Sequence, residues 1–131
     1  ITIEGGLVSK QMNDGIEMVL GSIVDPCFGP MVMLGMGGIL IELLDDVTFR
    51  RPPLSRRDAQ TMIAALRGAR LLDGLRGKPA VDRDALVTAI VEFSELVESY
   101  GGQAAVEITP LLGRYGDKGV VALDALFTRH P

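Results

Sequence analysis

Three glycines, Gly35, Gly37 and Gly38, interrupt an apolar run inside the stretch Asp25 to Arg50, D-P-C-F-G-P-M-V-M-L-G-M-G-G-I-L-I-E-L-L-D-D-V-T-F-R. The stretch is too glycine-rich for a helix and too apolar for a solvated loop. Glycine lets a backbone turn freely and approach a ligand closely. A turn, a buried strand, a glycine elbow, a second strand and a charged exit would suit a surface that handles phosphate or covers a nucleotide. A tight turn between two buried strands would use the same residues. Asp124 is the second candidate, because it interrupts the apolar run V-V-A-L-D-A-L. A carboxylate in such a run is costly unless it is paired, bound to a metal or turned to solvent. Arg50 could contact phosphate or pair with Asp45 or Asp46, and the ion pair is the expectation. No G-x-x-x-x-G-K-[ST] pattern is present, which excludes a P-loop. The one histidine, His130, is read as a tail residue.

These residues need a scaffold. Leu7–Met12 and Ile16–Val24 flank Asn13-Asp14-Gly15 and read as two strands of a hairpin. In the second, Ile16, Met18 and Leu20 share one face, with Glu17 and Val19 on the other. Met31–Leu34 reads as a buried strand and Ile39–Leu44 as a second one or a helical turn, with Met31, Met33 and Met36 as core filler. Ser55 is a natural N-cap with Asp58 in the capping-box position. Ala59, Met62, Ile63 and Leu66 form the stripe of that helix, and Gly68 is expected to end it. A second helix starts at Asp82. Its stripe is Leu86, Ala89, Ile90, Phe93, Leu96 and Val97, closed by Gly101-Gly102. Between the helices, L-L-D-G-L-R-G-K-P reads as a loop. Ala105–Leu112 and Gly119–Phe127 return to strand character around a turn at Tyr115–Lys118. Strands, then helices, then strands predict an α+β layer structure: a largely antiparallel sheet with two main helices packed on it.

The chain has 131 residues, enough for one domain with a sizeable core, and 47% of them are apolar. The formal charge is −4, which argues against a nucleic-acid partner. Arg50, Arg51, Arg56 and Arg57 cluster, but acids flank them and a solvated helix entry accounts for them. The apolar run from Met31 to Leu44 is too short and too broken to span a bilayer, so no membrane partner is expected. The single cysteine, Cys27, allows neither an internal disulfide nor a zinc cluster. A reducing, cytoplasmic location is the simplest inference. The chain begins at Ile1 inside an apolar segment, and residues 1–131 read as a single domain excised from a larger protein.

The strings G-I-E-M-V-L-G, D-P-C-F-G-P…G-M-G-G-I…D-D-V-T-F-R, P-L-S, L-L-D-G-L-R-G-K-P, I-T-P-L-L and G-V-V-A-L-D-A run in one order over nearly the whole chain. Together they resemble the C-terminal subdomain of the ATP-grasp domain of the NDP-forming (ADP-forming) acyl-CoA synthetases. That group includes acetyl-CoA synthetase and, more distantly, the succinyl-CoA synthetase β-subunit. The resemblance implies an ATP/ADP- and Mg²⁺-binding half-site of a ligase. The ligase would join an acid to CoA through acyl phosphate and phosphohistidine steps. The partners it implies are the first ATP-grasp subdomain, with its phosphate-gripping lysine, and the CoA-binding modules of the same protein. A homo-oligomer is compatible with it.

By the same resemblance, Gln11 and Met12 lie where adenine meets the backbone, and Glu17 faces the nucleotide. Gly37 and Gly38 border the phosphates or the incoming phosphohistidine loop. Glu107, Thr109 and Asp124 hold the metal. Two positions depart from the family pattern. Gln11 stands where an acid is common, and Thr109 replaces an asparagine with a neutral, shorter donor. The departures motivate an alternative: a degenerate, non-catalytic half-domain with a regulatory or interaction role, as in a related protein acetyltransferase. An isolated fragment of either kind is expected to be inactive.

Overall fold

The computed structural model describes residues 2–3, 15–37, 46–74, 77, 79–101 and 104–129. The described strands are β1 (Thr2–Ile3), β2 (Gly15–Asp25), β3 (Gly29–Met36), β4 (Val47–Arg50), β5 (Ala104–Arg114), β6 (Val120–Ala122) and β7 (Ala125–Arg129). They form one sheet in the order β1-β6-β5-β2-β3-β4, with β7 also paired to β5. Only the β1–β6 pairing is parallel among them. Two α-helices, α1 (Arg56–Ala64) and α2 (Arg83–Tyr100), and a 3-10 helix (Arg67–Asp73) complete the described fold. This is the expected α+β arrangement.

Alternation along the strands gives the sheet two unlike faces. Met18 and Leu20 of β2, Val32, Leu34 and Met36 of β3, and Ile108 and Leu111 of β5 point to one side and are buried. There they meet Ala59, Met62 and Ile63 of α1 and Leu86, Ile90, Phe93 and Val97 of α2, in a single core. Each large side chain removed from water this way stabilises the fold by about 1.5–3 kcal/mol.

Local signals set both helix starts. Ser55 accepts from the Asp58 N–H, and the Asp58 carboxylate accepts from the Ser55 N–H, a complete capping box. These bonds favour the ionised acid and hold the Asp58 carboxyl below the usual carboxylate range. A depressed folded-state pKa adds stability that is fully present above the unfolded value of about 4 and is lost as pH falls through the lowered one. Unfolding in urea at pH 6 and pH 3 is therefore expected to show an acid-side loss of stability that Asp58→Asn reduces. An identical pH dependence in the variant would contradict this. At the second helix, Asp82 Oδ1 accepts from the Ala85 N–H at 3.1 Å. Its Oδ2 accepts from Gly119, 3.1 Å away in the β5–β6 connection.

Several expectations need correction. α1 stops at Ala64 with Ala65 as its C-cap, so Gly68 does not end it. Gly68 lies in the 3-10 helix, which takes up the start of the expected loop. A Cβ there would sit 3.1 Å from Asp46 Oδ2 and 3.2 Å from Met36 Cγ. Leu96 is exposed, and Ser94 is buried in its place. Ser94 Oγ accepts from Leu54 N–H and donates to Val91 O. Met31 and Met33 are half-buried on the face away from the helices, so β3 is not buried on both sides; Met36 alone of the three is core. The expected strand Gly119–Phe127 is two strands, broken at Leu123-Asp124. Arg50 donates to Phe49 O rather than pairing with Asp46, whose two oxygens receive backbone amides. Asp45, Leu7–Met12, Asn13-Asp14, Ile39–Leu44, Gly102 and His130 lie outside the described residues.

Candidate functional site

The face of the sheet opposite the described helices holds the candidate chemistry. β2 and β5 pair antiparallel, with Glu17 opposite Leu112 and Gly21 opposite Glu107. Directly paired residues share a face, so Glu17, Gly21, Glu107 and Leu112 all point away from the core. Met33 and Phe49 extend the Gly21–Glu107 row across β3 and β4, and Leu126 of β7 extends it on the other side. A Cβ on Gly21 would meet Met33 Cε at 3.4 Å and Glu107 Cγ at 3.9 Å, so the sheet surface is bare between these two side chains.

Glu107 and Thr109 are exposed and lie two residues apart on β5. Between the pairs Met18–Leu111 and Leu20–Ile108 the register shifts, because Thr109 and Pro110 stand against Val19 alone. Such an irregularity re-aims side chains. Asp124 comes to this place through the backbone: its carbonyl accepts from Thr109 N–H at 3.2 Å. The Asp124 side chain is exposed, at the break between β6 and β7, and Oδ1 accepts from its own neighbour Ala125 N–H at 2.8 Å. The Asp124 carboxylate is turned to solvent, so the cost of burying it in an apolar strand does not arise. Glu107, Thr109 and Asp124 nonetheless fall in neighbouring places on β5 and at the β6–β7 break. Two carboxylates and a hydroxyl are hard oxygen donors of the kind Mg²⁺ takes, with water and phosphate oxygens completing its shell. Among the described residues no group of three or more His, Cys, Asp or Glu side chains forms a metal-holding cluster.

Glu17 is half-buried on the same face. Its carbonyl accepts from Gly37 N–H at 2.9 Å. A Cβ at Gly37 would come within 3.1 Å of the Glu17 carbonyl group and Met18 N. Gly37 is thus glycine because it lies against β2. Gln11, Met12 and Gly38 are outside the described residues. One group was not singled out from the sequence. Leu112, Val121 and Leu123 form a second apolar cluster, buried on the side opposite the described helices. Val19, on the same side of β2, is also buried. The signal was available as alternation in L-L-G and V-V-A-L, but both runs read equally well as core. The open cavity between α1 and α2, about 360 Å³ and lined by Gln60, Ile63, Arg83, Asp84 and Val87, lies on the helical side, away from these groups.

The family model that describes the ATP-grasp domain matches residues 1–128. The chain belongs to the ATP-grasp family. Its relatives include the β subunit of an ADP-forming acetate–CoA ligase I from Pyrococcus furiosus, 37% identical over 92% of this chain and 51% of that subunit. A 4-hydroxybutyrate–CoA ligase (ADP-forming) from Nitrosopumilus maritimus is 38% identical over 93% of this chain and 18% of its own length. Among solved structures, the ATP-grasp chain is similar to the dinucleotide-forming acetyl-coenzyme A synthetase 1 of Ca. Korarchaeum cryptofilum in complex with coenzyme A and Mg-AMPPCP. The TM-score is 0.81 at 35% identity, covering 88% of this chain and 54% of that one. The resemblance to the NDP-forming synthetases and the predicted subdomain fold are borne out. This ATP-grasp chain spans about half of the β subunit and under a fifth of the single-chain ligase. No helix among the described residues is long and apolar enough to cross a membrane.

Proposed function

We propose that this chain supplies the ATP/ADP- and Mg²⁺-binding half-site of an NDP-forming acyl-CoA synthetase. The observation that carries the reading is the sheet face opposite the described helices, where Glu17 and Glu107 project, with Thr109 and Asp124 joined by a backbone hydrogen bond beside them. Its similarity to a synthetase solved with Mg-AMPPCP supports the reading. Phosphoryl transfer depends on positioning and charge neutralisation more than on covalent help. Bound Mg²⁺ would supply most of that neutralisation. Glu107 and Asp124 would hold the metal through carboxylate oxygens and Thr109 through its hydroxyl. Glu17 would face the nucleotide, with Gly37 at the phosphates and Gln11, Met12 and Gly38 completing the contacts. Val19, Leu112, Val121 and Leu123 would give the nucleotide a water-excluding floor.

Residues 1–131 form the second ATP-grasp subdomain on this reading. The first subdomain and the CoA-binding modules of the same protein close the site, in a cytoplasmic ligase that makes acyl-CoA, ADP and phosphate by way of acyl phosphate and phosphohistidine. A site shared between modules loses most of its affinity when one is missing. Titration calorimetry of the full-length protein with Mg·ADP is expected to show binding below millimolar nucleotide, and this chain alone weak or no binding. Silence of the full-length protein at millimolar Mg·ADP would overturn the reading. It would favour the second one, a non-catalytic half-domain with a regulatory or interaction role, which the neutral donor at Thr109 supports.

A further inference from the structure

Asp46 is the most buried charged residue described, at 2% exposure, and the proposed phosphate chemistry makes no use of it. Its carboxylate faces the start of the 3-10 helix. Oδ1 accepts from Arg67 N–H, and Oδ2 accepts from Gly68 N–H at 2.6 Å. Its backbone carbonyl accepts from Met36 N–H at 3.0 Å. The next residue along, Gly37, donates to Glu17 O at 2.9 Å. One aspartate therefore links the 3-10 helix, the end of β3 and the carbonyl of the glutamate on the open face.

A buried carboxylate is tolerated only when donors replace its water. Here two amides do so, and hydrogen bonds to an ionised acceptor are stronger than neutral ones. The fit is close. Gly68 leaves space for Oδ2, since a Cβ there would stand 3.1 Å from it. Gly37 lies against β2 so closely that a Cβ on it would stand 3.1 Å from the Glu17 carbonyl group. Asp46 is thus connected through the Met36 amide, and the neighbouring Gly37 amide, to Glu17.

We propose that Asp46 is a positioning residue for the nucleotide site, fixing Gly37 against Glu17 through the Met36 amide. This inference rests on the nucleotide reading above. Asp46→Asn keeps the shape but offers one acceptor oxygen and turns an NH₂ group toward the second amide donor. In the full-length protein it is expected to weaken Mg·ADP binding about tenfold by calorimetry. KM for the nucleotide should rise in step, while kcat at saturating nucleotide stays within about twofold. Ile90→Val, a core change in α2 remote from Glu17, serves as the stability control. It should lower the melting temperature and leave nucleotide affinity unchanged. Gly68→Ala crowds the same carboxylate without removing its charge. It should weaken binding in the same direction, and it carries the test if Asp46→Asn does not fold. Unchanged affinity in a folded Asp46→Asn or Gly68→Ala protein, with melting lowered as in the control, would make Asp46 a purely structural cap and overturn the proposal. Absence of binding by the unaltered full-length protein would instead overturn the nucleotide reading itself.

Discussion

Replacing Asp124 by Ala in the full-length protein is expected to lower metal-dependent turnover by about 100-fold or more, the scale on which removing one electrostatic group from a preorganised site acts. The prediction turns on charge, because Asp124 has two separable jobs. Oδ1 accepts from Ala125 N–H and shapes the break between β6 and β7. The charge itself is proposed to face the metal. Asp124→Asn keeps an acceptor for Ala125 and removes the charge. It should fold normally, lose turnover nearly as fully as Ala, and need more Mg²⁺ for what remains. Asp117→Ala, in the exposed β5–β6 turn, should leave turnover unchanged. Normal turnover in Asp124→Asn would reduce Asp124 to a local backbone cap.

The largest effect on stability is expected at Phe93. It is 1% exposed on α2 and packs with strand residues from the helical face of the sheet. Phe93→Ala removes a ring from a site framed by a helix and a sheet, neither of which can collapse freely into the gap. The cost expected is about 3–5 kcal/mol, against a total stability of roughly 5–15 kcal/mol for a domain of this kind. Urea unfolding followed by circular dichroism measures it. Leu96→Ala, on an exposed position of the same helix, should cost far less. Equal losses at the two positions would mean that the burial of Phe93 does not control stability.

The features legible in the sequence were those specified over a few residues. The capping box at Ser55 and Asp58, the cap at Asp82 and the alternation around Glu17 are local patterns, and each formed as read. Features set by distant partners were not legible. V-V-A-L-D-A-L-F favours a strand throughout, yet it divides because β6 pairs with one half of β5 and β7 with the other, past the irregularity at Thr109-Pro110. Gly68 looks like a helix terminator, but its smallness makes room for a carboxylate from beyond β3. The candidate site divides in the same way. Residue types named Glu17, Glu107 and Asp124, while the common side of the two glutamates depends on the β2–β5 register, which no spacing along the chain encodes.

Asp82 gives the molecule a check on its own completeness. One of its oxygens serves the first turn of α2 and the other serves Gly119, just before β6. The helix can begin from local signals, but its capping carboxylate has all its partners only after the last hairpin has closed on β5. Helix and hairpin therefore share a single acid, and opening the hairpin leaves Oδ2 of that acid without the Gly119 N–H. A break in the hairpin is therefore felt at the start of α2, where the same aspartate caps the first turn.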